Sequence, residues 1–284
     1  MLESKNVCVV MGDDRPVVTG RLAMSSYPSL AYEINRRFCE KLGWDFRYEQ
    51  YQLPKYWWGK LPPYSSAAHQ SRAASWVKLL AVQRALDLGY EFVVWIDSDC
   101  IFYDHHADWS STLSHFNQPE VSFLSWVDRP FYTDQFCAGF FIVRSSDRIR
   151  ELIRTTWTAP STFSLKHVYE QSELNAAIKD WPSSHYVIVD EPMFELEDDT
   201  QKLLHIASFN HKQRVPSFLK WFADRGLKPE PQKTLVHVIT DLEVDEWDRR
   251  WSGVGLSGGD FIRRYAQGIF QTARAKLKRL KSLR

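Results

Sequence analysis

Residues 91–102 read EFVVWIDSDCIF. Glu91 to Ile96 is β-branched and aromatic, long enough for one buried strand and too short for a helix. Asp97 and Asp99 follow at once, one residue apart. Ionised carboxylates at the mouth of a core strand repel each other and lose hydration, so a compensating cation is expected beside them. Two carboxylates at i and i+2 on a turn can share one divalent ion. Hard oxygen ligands suit Mn2+ or Mg2+, whereas Zn2+ prefers nitrogen and sulfur. A DxD on an ordinary surface turn would not follow so apolar a run.

Working outward, Asn6–Met11 (NVCVVM) reads as a first core strand, followed by the turn-rich Gly12-Asp13-Asp14-Arg15-Pro16. Tyr27 to Leu42 has helical periodicity through Leu30, Ile34 and Phe38, with Gly43 placed as C-cap. Trp44–Tyr51 alternates as a second strand. The stretch from Gln52 to Ala74, with three prolines and two adjacent tryptophans, reads as a long loop beside a site. Ser75 is placed as the cap of a helix over Trp76–Leu88, which leads into the strand before Asp97. Further strands are expected at 120–126, 136–144, 185–189 and 202–206, and helices at 147–157 and 169–179. Strands alternating with helices imply an α/β fold, a mostly parallel sheet with helices on both faces. Ligands collect at the carboxyl ends of such strands, which is where Asp97-Ser98-Asp99 falls.

Composition narrows the class. The 284 residues are 44% hydrophobic and 25% charged, enough to bury a sizeable core. A net charge of +1 argues against a nucleic-acid partner. The 12 Trp, 12 Tyr and 17 Phe fill cores first, although they can also form platforms for sugar rings and nucleobases. Cysteines 8, 39, 100 and 137 show no CxxC spacing, and three of them sit in strand-like apolar runs; a reducing compartment fits them. There is no signal-peptide pattern and no apolar run of membrane-spanning length. No linker stands out before about residue 215, so a catalytic domain over 1–215 and a C-terminal helical extension over 216–284 are expected. The extension ends in 260–284, which holds eight Lys or Arg residues after Asp260 and one apolar face through Ile262, Tyr265, Ile269, Ala273, Leu277 and Leu280. That pattern suits peripheral contact with an anionic membrane, or a terminal helix packed on its own domain.

Four further blocks accompany the DxD in order. They are SWVK (75–78), FCAGFFIVR (136–144), YEQSELN (169–175) and LLHIAS (203–208). The order resembles the GT-A glycosyltransferases, most closely the α-galactosyl/α-xylosyltransferases of glycosyltransferase family 34; retaining families such as family 77 are similar enough to be rivals. The resemblance covers roughly residues 5–215, and its specificity lies in motif order. It implies a GT-A fold and a retaining, metal-dependent transfer of a hexose or pentose from a nucleotide sugar, a UDP-sugar first, to a glycan or glycolipid acceptor.

Carried over by position, Asp97 and Asp99 ligate Mn2+ or Mg2+, with Ser98 near the ribose. His205 supplies the third ligand, and His237 in TLVHVITD is the alternative. Lys78 stands at the donor site, and Gly139 is where a side chain would intrude on the bound sugar. Glu170 and Gln171 hold sugar hydroxyls and face the anomeric carbon. Lys212 and Arg214 hold the diphosphate, and Asp13 and Asp14 seat the nucleotide base. Two departures stand out: Ser208 replaces the family's glycine, and Cys137 its asparagine. The absence of an N-terminal anchor suggests a cytoplasmic enzyme of bacterial or viral origin, peripheral to the inner membrane face through 260–284. Two other classes compete. A sugar-phosphate nucleotidyltransferase would carry a Gly-rich phosphate loop, which VVMGDDRPVV lacks. A carbohydrate- or membrane-binding module would not need Asp97 and Asp99 ionised.

Overall fold

A computed structural model describes residues 6–52, 74–128, 135–158, 169–191, 193, 201–206, 212–229 and 236–240, with isolated positions 243, 246, 247 and 250. Positions 53–73 of the loop expected over Gln52–Ala74, and the basic segment 260–284, lie outside the described residues.

Strand β1 (Val7–Asp13) is buried along its whole length, as expected for a strand covered on both faces. Helix α1 (Tyr27–Leu42) follows, buries Leu30, Ile34 and Phe38, and stops at Gly43 with φ 68°. Only a residue tolerant of the left-handed region serves as that C-cap. Strand β2 (Asp45–Gln52) then pairs parallel with β1. Helix α2 (Val77–Asp87) begins after a 3-10 turn at Ala74–Trp76. Ser75 does not cap it, because the chain enters already helical, with Trp76 at φ −63° and ψ −24°. An N-cap side chain needs extended backbone to reach back to the first turn.

Strand β3 (Phe92–Asp97) pairs parallel with β1 and ends on the first aspartate. A short strand the sequence reading did not separate, β4 (Cys100–Phe102), leaves the sheet directly after the DxD. Helix α3 (Trp109–Ser114), strand β5 (Phe123–Val127) and strand β6 (Phe136–Arg144) come next. Helices α4 (Asp147–Thr158) and α5 (Tyr169–Lys179) precede strands β7 (Tyr186–Val189) and β8 (Leu203–His205). Helix α6 (Arg214–Asp224) and strand β9 (Val236–Thr240) complete the order. Beyond residue 215, β9 forms an edge of the main sheet by pairing parallel with β2.

The main sheet runs β7-β5-β6-β3-β1-β2-β9, and β6 alone is antiparallel to its neighbours. This is the α/β, Rossmann-like sheet expected. Alternation along β1 and β3 sends Val7, Val9, Met11, Phe92, Val94 and Ile96 into the core shared with α1 and α6. Cys8, Val10, Val93 and Trp95 enter the opposite core, with α2, α4 and α5. The four cysteines are free and buried.

Two devices fix the turn that carries the DxD. Asn35 of α1 is fully buried, donates to the Cys100 carbonyl and accepts from the Phe102 amide, both at 3.0 Å. It thereby pins β4. Across β4, β8 pairs antiparallel, with Cys100 opposite His205. Replacing Asn35 with Ala would leave a buried N–H and C=O without these partners. We expect Asn35→Ala to cost about 2–3 kcal/mol in urea-induced unfolding, with the helix content of the folded state unchanged by circular dichroism.

Candidate metal and donor site

At the carboxyl end of β3, ligand atoms of Asp97, Asp99 and His205 lie within 4.8 Å of one another. The side chains of Asp97 and Asp99 keep 29% and 15% of their exposure, so solvent reaches them. Two oxygens and one imidazole nitrogen suit Mn2+ or Mg2+ with open positions for a further ligand. The residues present therefore fit a divalent ion.

Each candidate ligand is held from behind, as ligands of metal sites usually are. Trp95 donates its indole N–H to Asp97 Oδ1 at 2.7 Å, across the two-residue repeat that puts both side chains on one face. Lys78 Nζ reaches the same oxygen at 3.1 Å. His205 Nε2 is 3.1 Å from Asp99 Oδ1, and Arg214 Nη2 donates to Asp99 Oδ2. The far side of the imidazole meets Cys137, with Sγ 3.5 Å from Nδ1.

His205 owes its place to β6. Ser125 pairs with Phe141 but Val127 with Phe136, so two steps along β5 are matched by five along β6. The excess makes a bulge around 137–140. The Ser125 hydroxyl lies 2.9 and 2.7 Å from the carbonyl oxygens of Cys137 and Phe140. Helix α5 secures the outer side. Gln171 accepts from the Ala138 amide at 2.7 Å and donates to Asp128 at 2.6 Å, while Asn175 bonds both the N–H and the C=O of Phe136. Inside the bulge, a Cβ on Gly139 would stand 2.5 Å from Cε1 of His205. What a side chain at Gly139 would first meet is thus the imidazole.

The other expected site residues divide into those brought together and those set apart. Lys78 is 3% exposed, and its ammonium bonds Asp97, Glu170 at 2.6 Å and the Ala138 carbonyl at 3.0 Å. Three donors meet three acceptors, so its part is to bind α2, β3, α5 and β6 together at the aspartates. Asp13 is spent likewise. Its oxygens accept from Arg15 Nε and Nη2, both at 2.6 Å, and from Ser98. It holds Arg15 and Ser98 and has little left for a base. Asp14 beside it is raised to about 6 by burial and by Asp13.

Arg214 is buried at the start of α6, whereas Lys212 is exposed just before it. Arg15 and Arg214 both lie over the ring of Tyr27, at 4.4 and 4.6 Å. His237 is elsewhere. Residues Asp97, Gly12, Glu49 and His237 share one row across β3, β1, β2 and β9, which at ~4.8 Å per strand puts His237 about 14 Å from Asp97. It cannot share an ion with the aspartates.

The charges act on one another. Burial and Asp99 raise Asp97, although Lys78 opposes them. Burial also works to raise Asp99, but His205 and Arg214 outweigh it and hold it below the usual carboxylate range. Burial disfavours a charged Lys78, and Asp97 with Glu170 more than reverses that. Trp95 and Asp128 escaped the sequence reading as site residues, and Cys137 and Asn175 stood in its blocks without a role at the ion site. Only the apolar context of the DxD and of the EQ block hinted at them.

No family model matches the chain, and no curated protein matches it in sequence. Among solved structures it resembles a glycosyltransferase involved in the glycosylation of the major capsid of PBCV-1, with a TM-score of 0.54 and 15% identity. The match covers 74% of this chain and 98% of that one. It also aligns with A197 from STIV at 8% identity, over 72% of this chain and 95% of that one, with a TM-score of 0.37, too low to carry weight. At such identity the likeness to the glycosyltransferase is one of fold.

Two substitutions test this architecture. Lys78→Met leaves Asp97 and Glu170 without their shared cation, and should cost about 3–5 kcal/mol in urea unfolding at pH 7. The deficit should shrink toward pH 5, because protons taken up by the two stranded carboxylates favour the folded variant. Gly139→Ala should displace the His205 ring and weaken Mn2+ binding, followed by electron paramagnetic resonance, by about 10–100-fold.

Proposed function

We propose that the protein is a metal-dependent, retaining glycosyltransferase that moves a hexose or pentose from a UDP-sugar to a glycan hydroxyl. The observation that carries this reading is the convergence of Asp97, Asp99 and His205 at the carboxyl end of β3, backed by Lys78 and Arg214. The shared fold with a glycosyltransferase and the order of the sequence blocks, most like family 34, support it further. A sugar-phosphate nucleotidyltransferase is less favoured, since β1 runs straight into Asp13 and Arg15 with no Gly-rich loop.

In this reading Asp97, Asp99 and His205 hold Mn2+ or Mg2+. The bound ion supplies Lewis-acid stabilisation of charge on the departing diphosphate. Arg214 and Lys212 offer that diphosphate a guanidinium fork and a point charge. Arg15, fixed by Asp13, and Tyr27 stand where the nucleoside would lie, with Ser98 beside the ribose. Glu170, held by Lys78 at 2.6 Å, faces the oxocarbenium-like sugar. Gln171 keeps Ala138 and Asp128 in place beside it. With retention, the leaving oxygen accepts the proton of the acceptor hydroxyl, so the chain need supply no separate base.

No helix among the described residues is long and apolar enough to cross a membrane. A cytoplasmic enzyme touching the inner membrane face through 260–284 belongs to the same proposal.

A donor screen is the direct test. The full chain with Mn2+ and a panel of UDP-, GDP- and CMP-sugars should release nucleoside diphosphate slowly from one donor. Asp99→Asn should lower that rate by at least about 100-fold, as should chelation. If no donor is hydrolysed, and calorimetry finds no Mn2+-dependent binding of any nucleoside diphosphate, the transferase reading falls and a binding module replaces it.

A further inference from the structure

Arg214 occupies an electrostatically unusual place. It is the first residue of α6, where the free backbone N–H groups carry partial positive charge and a cation is disfavoured. Its side chain is only 10% exposed. It stays there because Nη2 bonds Asp99 and Nε donates to the Ile206 carbonyl at 2.8 Å. Below it lies the Tyr27 ring. The guanidinium thus serves as a counter-ion to a carboxylate that also belongs to the ion site.

The local charges can be summed. With His205 neutral, as an imidazole that ligates an ion must be, Asp97, Asp99 and Glu170 bring three negative charges and Lys78 and Arg214 two positive, so the site offers the ion −3 + 2 = −1. A divalent ion alone turns that into +1, with Arg214 pressed against it through a shared carboxylate. Two cations on one partly buried carboxylate repel strongly, because the local dielectric is far below that of water. A diphosphate restores the balance. It can accept from the guanidinium while ligating the ion.

We propose that Arg214 couples the ion to the diphosphate. It competes with the ion for Asp99 when no nucleotide is present, and the competition ends when the diphosphate arrives. The ion and the nucleotide then bind as mutual partners, each raising the affinity of the other by one factor. This rests on the transferase reading and assigns within it a task to one residue, the linkage between two ligands.

The test uses the full chain with Mn2+ and UDP as probes. Mn2+ affinity without nucleotide is read by electron paramagnetic resonance, and UDP affinity by calorimetry, in EDTA and in saturating Mn2+. In the unaltered chain, Mn2+ alone should bind weakly, and UDP should bind at least about tenfold more tightly with the ion than without it. Arg214→Gln should bind Mn2+ alone at least about tenfold more tightly, and the UDP ratio should fall by about the same factor. Arg214→Lys keeps the charge and should keep the coupling. Weaker Mn2+ binding in Arg214→Gln would mean that Arg214 merely orients Asp99, and would overturn the proposal; so would an unchanged UDP ratio. If the unaltered chain binds no Mn2+, with or without UDP, the transferase reading itself fails, an outcome distinct from either of these.

Discussion

The Lys78 ammonium is the point on which the site is built. It sits inside the protein with its three donors on Asp97, Glu170 and the Ala138 carbonyl, and each acceptor comes from a different element. A buried cation is tolerated only when its hydrogen bonds are complete and its charge is matched. The same holds for Asp97 and Glu170, which would be costly neighbours without it. Helix α2, strand β3, helix α5 and strand β6 are therefore bound to one arrangement. The aspartates inherit their geometry from that arrangement.

The bulge in β6 is the second constraint. It turns Cys137 and Gly139 toward His205 and leaves backbone groups that Ser125, Gln171 and Asn175 must satisfy. Buried polar groups left unpaired would cost more than the bulge gains, so these side chains are tied to the backbone. That is why Gln171, read from the sequence as a sugar contact, is engaged with Ala138 and Asp128. It also explains why Gly139 answers to the imidazole: His205 lies against its α-carbon.

Much of the architecture is written in local pattern. Both-face burial of β1 and β3 shows as unbroken apolar runs, and α1 shows as Leu30, Ile34 and Phe38 before a terminal Gly43. The DxD is visible because carboxylates after such a run demand a cation. Helix α2 was legible as a helix but its start was not, since a 3-10 turn and a Ser cap leave similar traces in sequence. Strand β4 is only three residues long, too short for any periodicity to mark it.

The sequence by itself determined that a mostly parallel α/β sheet delivers Asp97 and Asp99 to its carboxyl edge, because apolar run length and periodicity are local properties. It also nominated His205, with His237 as its alternative, since both end apolar runs. Only the tertiary structure chose between them: His237 lies three strands from Asp97, whereas β8 pairs with β4 and brings His205 against Asp99. It decided as well that Lys78 spends its bonds on the protein and that Ser98 closes on Asp13. Such choices depend on which distant segments share a hydrogen-bond register and which buried charges find partners. Those are properties of contacts across 19 to 115 residues of chain, from Lys78–Asp97 to Asp99–Arg214, and no local pattern encodes them.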